Sequence, residues 1–351
     1  MTEIAIAFWM SFLSSLILSA MVVFCLPLHL KWTGDEPDKV QAVHSHVVPR
    51  IGGLCVMLTV SGAIIFLADA PPIVGSLLIS AVPAVLFGLA EDLNLKVSPA
   101  IRLIAAAFSG VLAIYVFDVW LIRVDIPFFD EWLRFTAFGI VFSIIVSTTL
   151  CHAYNLIDGL NGLSSGIFII AMANIALMTW SDERDAIAVS AALLAFATAG
   201  FWVVNFVTGR IFLGDGGAYF FGHAVAWMSI LTAVYHPTVS SWALLLNTII
   251  PVTDTLMAIL RRYQNGKRFV SADRQHLHHI LYAVIAHIAK ERLNQHWQNG
   301  AASFLVVLLA GAFSLTAWAL QHSSSKSSVA CIIAVALIIV VMQKGKPVAK
   351  S

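Results

Sequence analysis

One acid stands among four glycines in the stretch from Arg210 to Gly222, RIFLGDGGAYFFG, at the end of a strongly apolar segment. This acid is Asp215. A carboxylate flanked by glycines can hold a metal ion while neighbouring backbone amides approach a phosphate closely. Gly and Asp are also ordinary residues of a turn between two helices, so the motif alone leaves both interpretations open. Arg210 is a candidate to bind an anion beside it.

The composition sets the class of protein that carries this motif. Of 351 residues, 60% are hydrophobic and only 11% are charged, and the mean hydropathy is +0.89. Such values exclude an ordinary soluble domain and predict an all-α integral membrane protein. The net charge of +1 points to no nucleic acid and no acidic partner. The four cysteines lack CxxC spacing, which argues against a disulfide framework or a zinc site.

Apolar runs of membrane-spanning length predict a bundle of about eleven transmembrane helices in a single domain, residues 1–351. The first run begins near Ile4 without basic residues before it, so we expect a retained helix and not a cleaved signal peptide. A basic and histidine-rich loop covers about 261–300. The predicted spans are 4–30, 51–69, 73–90, 100–117, 135–153, 163–180, 186–207, 217–235, 242–260, 301–320 and 329–343.

Lysine and arginine predict the orientation of these spans. If the N-terminus is periplasmic, 16 of the 20 basic residues lie in cytoplasmic links or in the C-terminal tail. This positive-inside pattern places the C-terminus in the cytoplasm. The same alternation brings the clusters of acids, amides and histidines to the cytoplasmic face, where they could form one site.

The link GLAEDLNLKVSPAIR pairs two acids at the end of a predicted span, Glu91 and Asp92. Carboxylates at the C-terminus of a helix oppose its dipole, so they need either solvent or a cationic partner. Asp92 could accept a proton or lie beside a metal, and Lys96 could bind a phosphate.

The link HAYNLIDGLNGLSSG carries the next oxygen ligands. Asn155 and Asp158 are three residues apart, so one helical turn could direct both side chains at the same ion. Asn161 continues the pattern as a candidate for substrate binding. As a bare turn the segment would be unremarkable, but polar side chains this close to the apolar zone are costly unless they are paired.

Cations and imidazoles lie in two other cytoplasmic links. In DEPDKVQAVHSHVVPRIGG, His44 and Arg50 are candidates for substrate binding, and a solvated loop is the alternative.

The second of these links ends in SADRQHLHHIL, where Arg274, His276, His278 and His279 could donate hydrogen bonds to a diphosphate. His276 and His279 are predicted to share a helix face that His278 does not, a poor arrangement for zinc. Anionic lipid headgroups are the other ligand that such a basic segment would suit.

Asp254 lies within an apolar run, in NTIIPVTDTLMAILRR, where Pro251 is expected to kink the helix. An acid inside a membrane span is a candidate for function. The alternative is an internal ion pair with Arg261 or Arg262, about two turns further on.

Together these motifs resemble, in order, those of the polyprenyl-phosphate N-acetylhexosamine-1-phosphate transferase family. The resemblance runs from about Asp35 to Leu281, and the five motifs are specific as a set although each is weak alone. SADRQHLHHIL is similar to the histidine loop of the branch that transfers an N-acetylhexosamine phosphate. The branch that uses UDP-MurNAc-pentapeptide has a different histidine-rich sequence there.

The resemblance implies transfer of a HexNAc-1-phosphate, GlcNAc-1-phosphate first, from a UDP-N-acetylhexosamine to undecaprenyl phosphate, with release of UMP. Mg²⁺ is the implied cofactor, with Mn²⁺ as a substitute. The implied setting is the bacterial inner membrane, with the active site on the cytoplasmic face, a homodimer as a compatible assembly, and a lipid-linked glycan such as O-antigen as the product. Neither direct attack nor an aspartyl-phosphate intermediate is favoured by the sequence.

The resemblance also implies roles for residues. Asp215 would be a metal ligand joined by Asn155, Asp92 would activate the lipid phosphate, and Asp158 lies in the Asn-x-x-Asp-Gly segment. Arg274, His276, His278 and His279 fall in the loop expected to close over the sugar nucleotide.

Three positions depart from the family pattern. Glu91 replaces the first of two paired aspartates, and Asn161 stands where many bacterial members have a second Asp, which puts any base assigned there in doubt. The run Gly216-Gly217-Ala218 lacks the hydroxyl residue that often follows the glycine after the metal-binding Asp.

Two other classes of function compete with this hypothesis. A proton-coupled transporter would use Asp254 and is usually built from related halves, but the sequence shows no internal repeat and its acids cluster at one face. A non-catalytic membrane sensor would show neither turnover nor metal dependence.

Overall fold

The computed structural model of the protein describes residues 2–35, 47–66, 72–181, 185–266, 275–289 and 292–344. Helices dominate this part of the chain, which confirms the all-α prediction. The one described sheet is a two-stranded antiparallel pair, with Gly34 opposite Pro49. The elements are α1 (Thr2–Phe24), α2 (Leu26–Thr33), β1 (Gly34–Asp35), β2 (Val48–Pro49), α3 (Gly52–Phe66), α4 (Pro72–Asp92), α5 (Pro99–Phe117), α6 (Pro127–Leu133), α7 (Thr136–Ile157), α8 (Leu163–Thr179), α9 (Ala186–Thr208), α10 (Asp215–Tyr235), α11 (Ser241–Asn247), α12 (Ile249–Gln264), α13 (Leu277–Ala289), α14 (Gln295–Leu320) and α15 (Ser324–Lys344).

Eight of these helices are long and apolar enough to cross a membrane: α1, α4, α5, α7, α9, α10, α14 and α15. The predicted spans at 51–69 and 163–180 correspond to α3 and α8, which have only 15 and 17 residues. The predicted span at 242–260 is the pair α11 and α12, which meet at an angle of 77°. A multi-pass membrane protein is therefore confirmed, while eleven spans and their orientation stay predictions.

The break between α11 and α12 lies at Thr248, earlier in the chain than the proline expected to cause it. Pro251 has no N–H to donate to the carbonyl of Asn247, so the helical ladder cannot continue across this point. Thr248 takes the non-helical angles φ −119° and ψ 17°. The proline then lies in the first turn of α12, where a missing N–H costs little.

Helix α10 is the most deeply enclosed of the candidate spans and packs against α3, α4, α7 and α8. Gly222 lets it approach α7 closely, because a Cβ there would lie 2.5 Å from the Cα of Cys151. Phe221 stacks on Phe168 of α8 with ring centroids 4.0 Å apart. Asp215, the first residue of α10, is therefore carried by the best-anchored helix of the protein.

A cluster of polar side chains around Asp125 links three segments at the end of the bundle away from Asp215. Asp125 accepts hydrogen bonds from Arg123 Nη1 at 2.6 Å, from Ser240 Oγ and the Ser241 N–H at 2.9 and 2.8 Å, and from Ser324 Oγ at 2.8 Å. Burial alone would raise the pKa of Asp125, but the hydrogen bonds from Ser324, Ser241 and Ser240 and the charge of Arg123 hold it below its usual value. The ionised carboxylate thus links the α5–α6 connection to the starts of α11 and α15.

Asp125→Ala is expected to destabilise the protein by about 3 kcal/mol, because it leaves the Arg123 charge and several donors without their acceptor. The measurement is thermal unfolding of the purified protein in detergent. Asp118→Asn, an exposed acid at the C-cap of α5, is the matched control and should leave the unfolding temperature unchanged. Equal unfolding temperatures for Asp125→Ala and the control would contradict a stabilising role for the polar cluster around Asp125.

Candidate active site

The Asp92 carboxylate caps the N-terminus of α10. It is 2% exposed, and its Oδ1 and Oδ2 accept the backbone N–H groups of Asp215 and Gly216 at 2.8 and 3.0 Å. The free N–H groups at a helix start carry partial positive charge and favour a carboxylate. An acid at the C-terminus of α4 opposes the dipole of that helix. The structure explains why Asp92 is there, because its carboxylate binds the start of α10.

Glycines make this contact between α4 and α10 possible. A Cβ on Gly88 would lie 2.6 Å from the Cα of Gly216, and a Cβ on Gly217 would lie 2.7 Å from the Cα of Gly53 in α3. Gly214 has φ +81°, a left-handed conformation that side-chain-bearing residues rarely adopt. The Gly-rich run around the acid therefore serves close helix packing, which explains why a larger hydroxyl residue does not follow Gly216.

Glu91 and Asp92 face different partners despite being adjacent. Glu91 Oε2 accepts the N–H of Val97 at 2.9 Å and so holds the tight turn between α4 and α5. Lys96 lies on that turn with φ 51° and is exposed. The two carboxylates therefore have separate structural partners, and Lys96 is placed on the surface next to the acids.

Asp215 is paired with Arg102. The guanidinium Nη1 lies 2.7 Å from Asp215 Oδ2, and the two side chains are 18% and 20% exposed. Arg102 was not among the residues predicted for the site. The sequence could have indicated its role, because a cation in the first turn of a helix such as α5 opposes the helix dipole and needs an anionic partner.

Tyr219 and His152 extend the same cluster and were also missed. Tyr219 lies one turn after Asp215 on α10, is fully buried and hydrogen-bonds the Arg102 side chain. The His152 ring of α7 packs edge-on against Tyr219 with centroids 5.2 Å apart. Nε2 of His152 is buried and has no hydrogen-bond partner within the described residues. The i, i+4 spacing of Asp215 and Tyr219 is the signal that could have located this face.

Asn155 and Asp158 lie at the end of α7, on the side of the acids. Asn155 is in the last turn and half-buried, and Asp158 is the C-cap residue. Burial and the negative charge of Asp215 raise the pKa of Asp158 to about 7, and the charge of Arg50 partly offsets them. This repulsion means that Asp158 and Asp215 lie within electrostatic reach of each other.

The raised pKa makes the stability contribution of Asp158 depend on pH. Because its folded-state pKa of about 7 lies above the ordinary value of 3.8, the folded protein binds the proton more tightly, and stability falls as pH rises between these values. Asp158→Asn removes this loss. In a buffer with chelator, we expect the unfolding temperature of Asp158→Asn relative to the unsubstituted protein to rise by a few degrees between about pH 5 and about pH 8.

Asp118→Asn is the control for that measurement, because it makes the same substitution at an exposed acid outside the site. An unfolding-temperature difference for Asp158→Asn that stays constant with pH would mean that Asp158 titrates normally in the folded protein.

The histidine motif is held against the link between α7 and α8. His276 Nδ1 lies 2.7 Å from Asp254 Oδ2, so the partner of the intramembrane acid is a histidine and not the arginines considered from the sequence. His278 is 2% exposed, and a Cβ on Gly159 would lie 2.5 Å from its Nε2. The motif is thus next to Asp158, and the predicted clustering of these segments is supported by a direct contact.

His278 contacts the other two histidines, although the helix-face pattern grouped only His276 with His279. The rings of His276 and His278 stack with centroids 5.7 Å apart, and those of His278 and His279 are 4.2 Å apart. The cause is that α13 begins at Leu277, so His276 precedes the helix and does not follow its periodicity. All three imidazoles therefore form one cluster.

Comparison with known proteins gives a match over the helices that carry these acids. Residues 74–233, from α4 to α10, match the model of glycosyl transferase family 4. A probable undecaprenyl-phosphate N-acetylglucosaminyl 1-phosphate transferase of Bacillus subtilis is 28% identical over 292 residues, covering 81% of this chain and 78% of that protein.

Over these residues the chain is similar to glycosyl transferase family 4.

Two further relatives extend the comparison. The undecaprenyl-phosphate alpha-N-acetylglucosaminyl 1-phosphate transferase of Escherichia coli K12 is 25% identical over 70% of this chain and 68% of its own. The decaprenyl-phosphate N-acetylglucosaminephosphotransferase of Mycobacterium tuberculosis is 28% identical over 69% of this chain and 67% of its own.

The remaining residues predicted for the site differ in burial and in whether the structure describes them. Arg50 is half-buried between β2 and α3, and its charge acts on both Asp92 and Asp158. Arg210 is exposed on the link between α9 and α10. His44 and Arg274 lie outside the described residues.

Asn161 is tied into the scaffold by its backbone, whose N–H donates to Asn299 Oδ1 of α14 at 2.8 Å. The next residue, Gly162, donates its N–H to Asn205 Oδ1 and accepts from Trp202 Nε1 at 3.0 Å. These bonds fasten the start of α8 to α9 and α14. The Asn-Gly pair thus anchors the link that carries Asp158, in addition to the substrate-binding role predicted for Asn161.

In the part of the chain that the structure describes, no three His, Cys, Asp or Glu side chains are grouped to hold a metal ion. That search counts neither amide oxygens nor pairs of ligands. The oxygen donors predicted for a metal are one carboxylate, Asp215, and one amide, Asn155. Oxygen donors of this kind suit Mg²⁺, which keeps several waters and usually takes only one or two protein ligands.

Proposed function

We propose that this protein is a member of glycosyl transferase family 4 that transfers an N-acetylhexosamine 1-phosphate, GlcNAc-1-phosphate first, from a UDP-sugar to undecaprenyl phosphate and releases UMP. The observation that carries the proposal is the placement of Asp215. It opens the most enclosed helix, is fixed there by Asp92 and is paired with Arg102. The names of the Bacillus subtilis and Escherichia coli relatives support the sugar phosphate and the lipid acceptor.

Asp215 and Asn155 would hold Mg²⁺, with Mn²⁺ as a substitute. Burial and the negative charge of Asp215 raise the pKa of Asp158. The repulsion between the two acids supports a cation site here, because a divalent ion would relieve it. When bound, Mg²⁺ would neutralise charge on the diphosphate of the UDP-sugar. Asp158 lies next to this proposed metal site. It is assigned either to orient the other ligands of the metal ion or, once ionised, to accept a proton.

Three groups of cations and donors are available for the diphosphate. Arg102 already binds a carboxylate through Nη1, and guanidinium groups bind phosphate by the same geometry. Arg50 acts on the acids from the other side. The imidazoles of His276, His278 and His279 are assigned to the sugar nucleotide, as are Arg210, Arg274 and His44.

In the reaction, an oxygen of the lipid phosphate forms a bond to the sugar-linked phosphorus of the donor. The bond from that phosphorus to the bridging oxygen breaks, and the electron pair leaves with UMP. Asp92 is assigned to assist the lipid phosphate, and its two bonds to α10 give it a second task, the positioning of Asp215. Such positioning matters because small displacements of a metal ligand reduce transition-state stabilisation steeply.

Helix α5 offers a route by which the lipid could reach this site. Arg102 faces Asp215, whereas Ile101, Ile104 and Phe108 of the same helix are exposed apolar side chains. In a membrane these side chains would contact lipid chains directly. A polyprenyl chain could lie along them while its phosphate meets the acids from the side.

The setting we propose is the cytoplasmic face of the bacterial inner membrane, on the basis of the positive-inside pattern. The product would start a lipid-linked glycan such as O-antigen or another envelope polysaccharide.

The test is UMP release by purified protein given UDP-GlcNAc, undecaprenyl phosphate and Mg²⁺. We expect release that requires the lipid and the metal and that Asp118→Asn, the exposed-acid control, retains. Turnover with a different UDP-amino sugar, and none with UDP-GlcNAc, would change the proposed donor but support the proposed reaction. Silence with every UDP-sugar, from folded protein, would overturn the proposal in favour of a transporter or a sensor.

A further inference from the structure

Asp254 occupies a position that nothing in the proposed reaction uses directly. It lies in α12, the second half of the broken span, and is 1% exposed. A buried carboxylate is costly unless its oxygens are satisfied. Both are satisfied by the histidine motif, because Oδ2 lies 2.7 Å from His276 Nδ1 and Oδ1 accepts the Leu277 N–H at 2.9 Å.

These two bonds fix the imidazole of His276 and the start of α13 together. An ionised carboxylate can only accept, so His276 Nδ1 carries the proton and Nε2 is the nitrogen left for another partner. His276 is 4% exposed, so the ring is held inside the protein. The bond to the Leu277 N–H also caps α13, since Leu277 is the first residue of that helix.

The fixed helix start in turn places the next histidine. His278 follows Leu277 directly, and its Nε2 lies against Gly159, the residue after Asp158. This nitrogen is buried and lacks a hydrogen-bond partner among the described residues. One imidazole nitrogen thus lies against the Asp158 link, and the His276 ring stacks on that imidazole with centroids 5.7 Å apart. The contacts of one carboxylate set the positions of both rings.

We propose that Asp254 is a positioning residue that acts through His276, holding its ring and the start of α13 so that the histidines bind the UDP-sugar. The proposal rests on the proposed function, because the bound donor is the one named there. It differs from a purely stabilising role in one respect. A carboxylate that orients a donor-binding imidazole affects the affinity for the UDP-sugar, whereas a carboxylate that only stabilises the fold affects the amount of active protein.

The kinetic test compares Asp254→Asn, His276→Ala and the double variant, with Asp118→Asn as the matched control. Asn preserves the size of the side chain and an acceptor for the Leu277 N–H, which protects the fold. We expect Asp254→Asn to raise the KM for UDP-GlcNAc roughly tenfold and to leave the KM for undecaprenyl phosphate within about twofold. In the His276→Ala background, the same substitution should change the KM for UDP-GlcNAc by less than about twofold.

Two kinetic results would overturn the proposal. One is an equal effect of Asp254→Asn in both backgrounds, since then Asp254 does not act through His276. The other is a fall in kcat with an unchanged KM for UDP-GlcNAc, which is the behaviour of a smaller folded fraction.

A second measurement separates this proposal from the proposed function. In hydrogen–deuterium exchange, peptides that cover the start of α13 should exchange faster in Asp254→Ala than in the unsubstituted protein, whether or not UMP is released. Unchanged exchange there would overturn the positioning itself. Faster exchange in a protein that releases no UMP from any UDP-sugar would keep the positioning of His276 and α13 and overturn the proposed function, together with the UDP-sugar as the bound ligand.

Discussion

Asp215→Asn is expected to lower UMP release by a factor on the order of 10³ or more, because it removes the one negative charge proposed to bind the metal. Asn is nearly the same size as Asp and retains a side-chain oxygen that Arg102 can approach. The backbone N–H of residue 215 still donates to Asp92, so the start of α10 should keep its place. The loss is therefore expected in turnover and metal affinity, with little change in stability.

The measurement is the initial rate of UMP release as Mg²⁺ is varied, with thermal unfolding of the same preparations. We expect the Mg²⁺ concentration for half-maximal rate to rise and the unfolding temperature to stay close to that of the unsubstituted protein. Asp118→Asn repeats the substitution at an exposed acid on the same chain and should leave both quantities unchanged. A rate above a tenth of normal with an unaltered Mg²⁺ dependence would remove Asp215 from the metal site.

Hydropathy was sufficient to locate the helices of this fold. Each predicted span contains a helix, because uninterrupted apolar runs leave the backbone no other way to satisfy its hydrogen bonds in a membrane. Hydropathy did not reveal that α3 and α8 have only 15 and 17 residues in the described part of the chain. It also missed the 77° break at Thr248, which depends on backbone geometry around one proline and not on mean polarity.

Features of the site that depend on local residue spacing could be predicted from the sequence. Features that depend on packing between helices could not. Asp215 and Asp158 were singled out as acids beside apolar runs, and the charge of Asp215 does act on Asp158. The bond from Asp92 to the start of α10 joins residues far apart in sequence, and it needs the glycine contact between Gly88 and Gly216. No periodicity in either segment indicates that contact.

The partner of Asp254 illustrates the same limit. The arginines two turns further along α12 were the natural candidates from the sequence. The structure instead brings in His276 from beyond the helix, because the start of α13 lies against α12. The presence of an intramembrane acid thus predicted that a partner exists, while its identity came from the tertiary arrangement.

Arg102→Gln is expected to lower kcat/KM for UDP-GlcNAc by roughly 10²- to 10³-fold, the scale of losing a charged donor to a transferring phosphate. In the structure the guanidinium binds the Asp215 carboxylate at 2.7 Å. Metal binding to Asp215 would offset the negative charge that holds Arg102 there, and the guanidinium could then bind the incoming diphosphate. Arg102→Lys keeps the charge but loses the planar fork, so its loss should be smaller, about tenfold.

Kinetics can distinguish binding of the substrate from support of Asp215. If Arg102 binds the diphosphate, Arg102→Gln should raise the KM for UDP-GlcNAc at saturating Mg²⁺, and Arg102→Lys should partly restore it. If Arg102 only holds Asp215 in place, the Mg²⁺ dependence should change while the KM for UDP-GlcNAc at saturating Mg²⁺ stays the same. Arg134→Gln, at an exposed arginine beyond α6, is the control for loss of one positive charge. An unchanged kcat/KM in Arg102→Gln would mean that the ion pair with Asp215 contributes to neither step.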